Sequence, residues 1–341
     1  MLGLCDGMKG VSLVAGIACL VALAGCRPNQ VAQPTSPARS PSASPSPSPS
    51  PSPLPPQRLE AALPAPIEET GAATAAGRLY VMGGFNAAGV SLASVYVFDG
   101  NTWAAGPPLP LAVDHPSAAT LDDHVYVAGG HSYGRDSARL FRLDSDHWTE
   151  LASMHFARGG HGLVAAQGRL YAIGGNNSRG NVGPLEAYDP GSNTWSVLTA
   201  LPAARNHVSG FVANGAACVA GGRSPTTGRV DCFDPASGAW SRLPDLPLPT
   251  SGGGATSFVS GDVVMTGGQD ASETGIVDQL VFYSQGGAWT GSEKMMSPRH
   301  GFELATFEGR AWACGGGSAP GLHPVATCTS VGDGPAASLN N

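Results

Sequence analysis

"GRLYVMGGF" (residues 77–85) and "GRLYAIGGN" (residues 168–176) are near copies whose starts lie 91 residues apart. Either one large unit occurs twice, or both belong to a shorter repeat. Gly-Gly doublets after short apolar runs decide the question. They occur at Gly83-Gly84, Gly129-Gly130, Gly174-Gly175, Gly221-Gly222, Gly267-Gly268 and Gly315-Gly316, spaced by 46, 45, 47, 46 and 48 residues. The two copies are therefore two periods apart, and the chain holds six units.

A tryptophan follows five of the doublets: Trp103, Trp148, Trp195, Trp240 and Trp289. From each Trp to the next doublet the distance is 26, 26, 26, 27 and 26 residues. From the second glycine of a doublet to its Trp it varies from 18 to 21. Length changes are thus confined to one half of the unit, and the other half keeps the constancy that strands in fixed register require. Each unit reads as four short strands. In the second, "SAATL" (117–121) precedes "HVYVAGG" (124–130), "ARLFRLD" (138–144) and "HWTEL" (147–151). The turns before the Trp, such as "DPGSNTW" and "DPASGAW", carry the Asp, Pro, Asn and Gly that tight hairpins need. First strands are rich in Gly, Ala and Ser, suiting a crowded axis, and a Trp on the fourth suits a widening periphery. About 45 residues and four strands per unit, arranged radially, predict an all-β, six-bladed β-propeller.

The doublets, the aromatic-Asp pairs of the third strands ("VFD", "AYDP", "CFDP") and the spaced Trp together resemble the kelch-repeat family over residues 57–332. The other large propeller class would show Trp-Asp, whereas here each repeat Trp precedes Ala, Thr or Ser. The last unit has a third strand near "PVATCTS" (324–330) but no Trp, and "QRLEAALP" (57–64) has no doublet before it. The segment from Gln57 is therefore expected to supply the fourth strand of the sixth blade and close the ring.

Ahead of the propeller, Lys9 precedes the apolar run "VSLVAGIACLVALAG" (11–25), which ends in "LAGC". The run is short for a membrane span, and "LAGC" resembles a bacterial lipobox. The resemblance implies a lipoprotein signal peptide over residues 1–25, with Cys26 as the lipidated first residue. Met8, opening "MKG", is an alternative start. Residues 26–56 read as that cysteine plus a disordered Pro/Ser spacer. Its 29 residues from 28 to 56 would reach on the order of 90 Å as a polyproline-type stalk. Arg27 stands where enteric inner-membrane lipoproteins carry Asp, so the resemblance implies a lipid-anchored place on the bacterial outer membrane. Residues 333–341 read as a flexible tail.

Seven cysteines divide cleanly. Cys5 and Cys19 leave with the signal segment, and Cys26 takes the lipid. Cys218 and Cys232, like Cys314 and Cys328, are 14 apart, the first on strand two and the second on strand three. We read two disulfides, each contributing about 3 kcal/mol by loop entropy and implying an oxidising compartment. Unpaired buried thiols are the alternative. Neither pair has a zinc-finger spacing to histidine.

The chain carries 18 Lys+Arg against 25 Asp+Glu, a net −7, which disfavours nucleic acid as a partner. Strand alternation puts the loop leading into strand one and the loop after the doublet on one face. There the blades contribute Glu68, Glu69, Asp114, His115, Arg158, His161, Arg205, His207, Arg299 and His300, with Asn86, His131, Asn176, Arg223 and Gln269 after the doublets. Arg and amide groups so gathered can hold carboxylates and sugar hydroxyls. Such Arg and His can equally bond a neighbouring blade's carbonyls. The reading favours a monomeric binding module for a protein or a glycan over an enzyme, with no cofactor. Kelch relatives include a galactose oxidase and a sialic-acid epimerase. Six blades and the missing spare cysteine set the oxidase aside. An epimerase or mutarotase would use Glu68, Glu69 and Arg205, and a purely structural envelope role is the third reading. The histidines lie whole blades apart, so their convergence on a metal depends on ring geometry, and no metal is assigned.

Overall fold

In the computed structural model, residues 56–332 are described, and all their regular structure is β-strand. The signal segment, Cys26, most of the Pro/Ser spacer and the 333–341 tail lie outside the described residues. The doublets explain the architecture. Both glycines of each pair have positive φ, between 64° and 109°. A Cβ on the first would stand 2.3–2.8 Å from a carbonyl oxygen of the loop leading into the next blade. The second donates its N–H to that same carbonyl: Gly84 to Val113, Gly130 to Arg158, Gly175 to Arg205, Gly222 to Thr250 and Gly268 to Arg299, at 2.8–3.0 Å. Only glycine tolerates both the backbone angle and the approach. Each doublet therefore fastens one blade to its successor.

Blade 1 runs Gly71–Ala75, Arg78–Met82, Val95–Phe98 and Trp103–Ala105, and the next four blades repeat the pattern from Ser117, Gly159, Ser209 and Gly254. Blade 6 comprises Leu304–Phe307, Arg310–Cys314 and Cys328–Gly332, with Gln57–Glu60 as its outer strand. That closing strand pairs Gln57 with Val331 and Glu60 with Cys328, as the missing Trp led us to expect. Gly316 completes the doublet series by donating to Ile67 O across the seam at 2.8 Å. First strands of successive blades lie side by side around the axis, and the first strand of blade 6 meets that of blade 1.

At the periphery the five repeat tryptophans do one job. Each indole N–H donates to a backbone carbonyl of the preceding blade: Trp103 to Ala61, Trp148 to Pro107, Trp195 to Ala152, Trp240 to Thr199 and Trp289 to Pro244, at 2.8–3.1 Å. The ring packs apolar clusters between blades while its N–H avoids an unpaired burial. Cys218–Cys232 and Cys314–Cys328 are disulfides, each joining directly opposed residues of strands two and three.

Removing residues 57–60 from the otherwise complete chain should unpair blade 6 and lower the melting temperature by about 5–10 °C. Calorimetry checks this, and an unchanged melting point would reject ring closure by that strand.

Candidate functional site

The axial end shared by the doublet loops is built on a second circle of backbone bonds. One residue in each loop leading into a first strand takes a left-handed conformation: Glu69, His115, Gly160, His207, Gly252 and Gly301, with φ of 51–67°. Each donates its N–H to the carbonyl of the one before, and Glu69 donates to Gly301 to close the circle. In five blades this residue lies 14 before the first doublet glycine; blade 5 has one extra residue, so there Gly252, 15 before Gly267, takes the place. Three glycines and three side chains therefore rim the channel.

The side chains at the rim meet. His115 Nε2 lies 3.3 Å from Glu69 Oε2, and His300 Nδ1 3.6 Å from Glu69 Oε1. The His115 and His207 ring centroids are 4.9 Å apart. Asp114 accepts from His115 Nδ1 at 2.7 Å and from Ser91 Oγ at 2.6 Å. His207 Nδ1 pairs with Asn206 Oδ1 at 2.5 Å, and its Nε2 faces Arg223 at 2.8 Å. Arg223 also reaches Glu273 at 3.4 Å. Ring geometry thus supplies the convergence of histidines that spacing alone left open.

The charges are coupled. Burial pushes Glu69 up, but His115, His300 and His207 outweigh it and hold its carboxyl well below the usual range. Burial works against the His115 imidazolium, yet Glu69 and Asp114 raise its pKa. His300 is raised in the same way, by Glu69 against burial. His207 is pushed well below its ordinary value by burial, by His115 and by Arg223. Glu68, buried and beside Glu69, is raised, while its Oε2 accepts the His323 N–H at 2.9 Å. His161 is buried against Gly129 of the preceding blade, where burial and Arg158 depress its pKa and neither ring nitrogen has a hydrogen-bond partner among the described residues.

The three arginines are put to a different use from the binding role expected of them. Arg158, Arg205 and Arg299 are at most 2% exposed and point into their own blades. Arg158 donates to Gly174 O and Pro184 O at 3.0 Å and pairs with Glu186 at 2.8 Å. Arg205 bonds Gly221 O at 2.6 Å and pairs with Asp231 at 2.8 Å. Arg299 bonds Gly315 O and Thr327 O, and its second terminal nitrogen reaches Thr329 Oγ1. Each guanidinium ties the loop leading into its blade to strands two and three of that same blade, satisfying carbonyls that the doublet geometry leaves open. Arg205 therefore does not face Glu68 and Glu69, and the arrangement an epimerase would need is absent there. Just after the first doublet it is Phe85, not Asn86, that borders the rim, edge-on to His115 with centroids 5.7 Å apart.

One residue was missed by the sequence reading. Glu303 stands on the channel wall where other blades place Gly71, Ser117 or Ser209. It accepts from the Ala72 and Ala118 N–H groups at 2.8 and 3.0 Å and from Ser117 Oγ at 2.5 Å. A carboxylate in a first strand otherwise made of small residues was the available signal. Burial pushes its pKa from 4.5 to about 7, against the pull of those three donors. The half-open space between the rim and Glu303 is about 70 Å³, room for a few waters or an ion.

The family described as "KLHDC2/KLHL20/DRC7 Kelch-repeats domain" matches residues 56–200. Kelch-like protein terF of Aspergillus terreus is 25% identical over 76% of this chain and 63% of its own length. Kelch-like protein 35 of Mus musculus is 35% identical over 37% of this chain and 22% of its own. The chain thus spans less than two thirds of either relative. Among solved structures, "Structure of YjhT" aligns with a TM-score of 0.65 at 16% identity, covering 80% of this chain and 95% of that one, a likeness of fold. Six radial four-stranded sheets define the molecule as a six-bladed β-propeller. The matched model and the kelch-like relatives support a kelch-repeat family for the chain.

Two outcomes test this geometry. Arg158→Ala takes the guanidinium from buried Glu186, which keeps only His155 Nδ1 and the His155 and Phe156 N–H groups, and from the Gly174 and Pro184 carbonyls, and should cost about 3 kcal/mol in denaturant unfolding. A loss below 1 kcal/mol would contradict the structural role. For Glu303 the folded pKa lies above the unfolded one, so the unfolded chain releases this proton first as pH rises. Stability contributed by the protonated form should fall between pH 4.5 and 7 by up to about 3 kcal/mol. Glu303→Gln should flatten that slope, and parallel unfolding profiles for the two proteins would exclude it.

Proposed function

We propose that the propeller is a protein-binding module held on the bacterial cell envelope by a lipid on Cys26, and that it binds through the face carrying the Glu69–His115–His207 rim. One observation carries the choice of face. Nine large apolar side chains are exposed among the described residues. Six of them (Val90, Tyr133, Phe156, Leu248, Met296 and Leu322) stand on loops of that face. Tyr133, at 72% exposure, tips the short hairpin of His131–Ser132 and Arg135–Asp136. Apolar and aromatic groups raised around a polar centre suit a protein surface, where a few such anchors dominate affinity. The lipobox resemblance and the long Pro/Ser stalk support a module standing clear of a membrane.

A photoreactive residue placed at Tyr133 in the full chain in cells should give protein adducts. The same residue at Val259, exposed on the opposite face, should not. Adducts from 259 alone, or from neither, would reject the assignment. In the same cells a labelled fatty acid should be incorporated into the chain and absent from Cys26→Ser, and label retained by that variant would remove the lipid anchor.

A further inference from the structure

We propose that Glu69, His115 and His207 form a binding site for a divalent transition ion of the zinc class at the channel mouth. One donor atom from each of the three lies within 4.8 Å of the others. Two imidazoles and a carboxylate are a donor set suited to zinc, nickel or copper, and ill suited to magnesium or calcium, which take oxygen.

The surroundings of the three resemble those of metal ligands more than those of an ordinary polar cluster. Asp114 holds Nδ1 of His115 at 2.7 Å and Asn206 holds Nδ1 of His207 at 2.5 Å, which leaves Nε2 of each ring as the donor. A carboxylate or amide behind each imidazole fixes tautomer and ring orientation, as outer partners of metal-bound histidines do. Space has been cleared for the side chains as well. A Cβ on Gly301 would stand 2.7 Å from Glu69 Oε1, and one on Gly160 would stand 3.1 Å from His207 Nδ1. Finally, all three residues hold positive φ, of 55°, 51° and 52°, where glycine fills the other three rim positions. Strained backbone at three convergent donors points to a use for the side chains.

One group competes. Arg223 donates to His207 Nε2 at 2.8 Å, on the lone pair the ion would take. Its side chain is partly exposed and already extends to Glu273 at 3.4 Å, so it can turn outward to that carboxylate. Three protein donors leave at least one coordination position for water or for a partner's side chain. The site does not depend on the protein-binding reading.

The test uses the full-length chain without an affinity tag, zinc ion as the probe, and competition with a chromophoric chelator. One zinc per chain is expected. His115→Gly and His207→Gly should each weaken binding at least about tenfold, and Asp114→Asn by about 10–100-fold. Arg223→Met should tighten it. Without zinc, the two glycine variants should melt at or above the parent temperature, because glycine relieves the left-handed backbone. Absence of binding overturns the proposal. So does zinc retained by the His115→Gly/His207→Gly double variant, which would place the ion on exposed histidines such as His147. Glycine variants that melt lower while keeping zinc would make the three residues structural, and an unchanged affinity in Arg223→Met would remove His207 Nε2 as a donor.

Discussion

Six backbone hydrogen bonds closed on themselves at the channel mouth are the constraint on which the rest of the site depends. A circle of this kind forms only if each contributing loop turns its N–H toward one neighbour and its carbonyl toward the other. The left-handed conformation at Glu69, His115, Gly160, His207, Gly252 and Gly301 does that. Just outside it runs a parallel series, in which the second glycine of each doublet donates to the loop leading into the next blade. The two series fix the loops in position relative to every blade at once. A change in one blade's loop length is absorbed locally, as the extra residue between Gly252 and Gly267 shows, without breaking the circle.

Because the closure is made by backbone, it is indifferent to sequence except where Cβ atoms cannot fit. That explains why the fold was legible in the chain. The doublets recur because a Cβ there would strike a neighbouring carbonyl, and the tryptophans recur because one indole spans from blade to blade. Even the borrowed outer strand of blade 6 could be read, since an absent Trp at one end and an absent doublet at the other are complementary gaps. The cysteine pairs were legible for a similar reason: equal separation across the same hairpin puts them opposite each other.

The site was less legible, and the arginines show why. Arg158 and Arg205 sit at a position that alternation assigns to the mouth, but whether an arginine there faces solvent or the blade depends on what the third strand offers. Glu186 and Asp231, both fully buried, draw them inward. Those carboxylates lie 28 and 26 residues downstream, beyond any local pattern. Arg299 turns inward without such a partner, toward carbonyls alone, so the pull of unsatisfied carbonyls is enough to decide the matter. Glu303 went unnoticed for the opposite reason. It interrupts a run of small residues at one blade of six, and a single departure from a repeat carries no period of its own.

That contrast between a periodic backbone and aperiodic side chains has an energetic consequence at the rim. Ring closure by itself would favour glycine at all six left-handed positions, and blades 3, 5 and 6 have it. A non-glycine residue held there costs on the order of 1 kcal/mol, so Glu69, His115 and His207 together carry roughly 3 kcal/mol of strain that closure does not require. Their mutual attraction offsets part of it. Glu69 is a buried carboxylate whose charge is stabilised by its histidine neighbours, and it would be costly there alone. His207 gains less, since burial, His115 and Arg223 oppose its protonation and outweigh the pull of Glu69. A neutral imidazole held in a strained backbone, with its lone pair turned to a cationic group, is poised to accept a positive partner. Arg223 fills that role from within the chain, donating to His207 Nε2 at 2.8 Å.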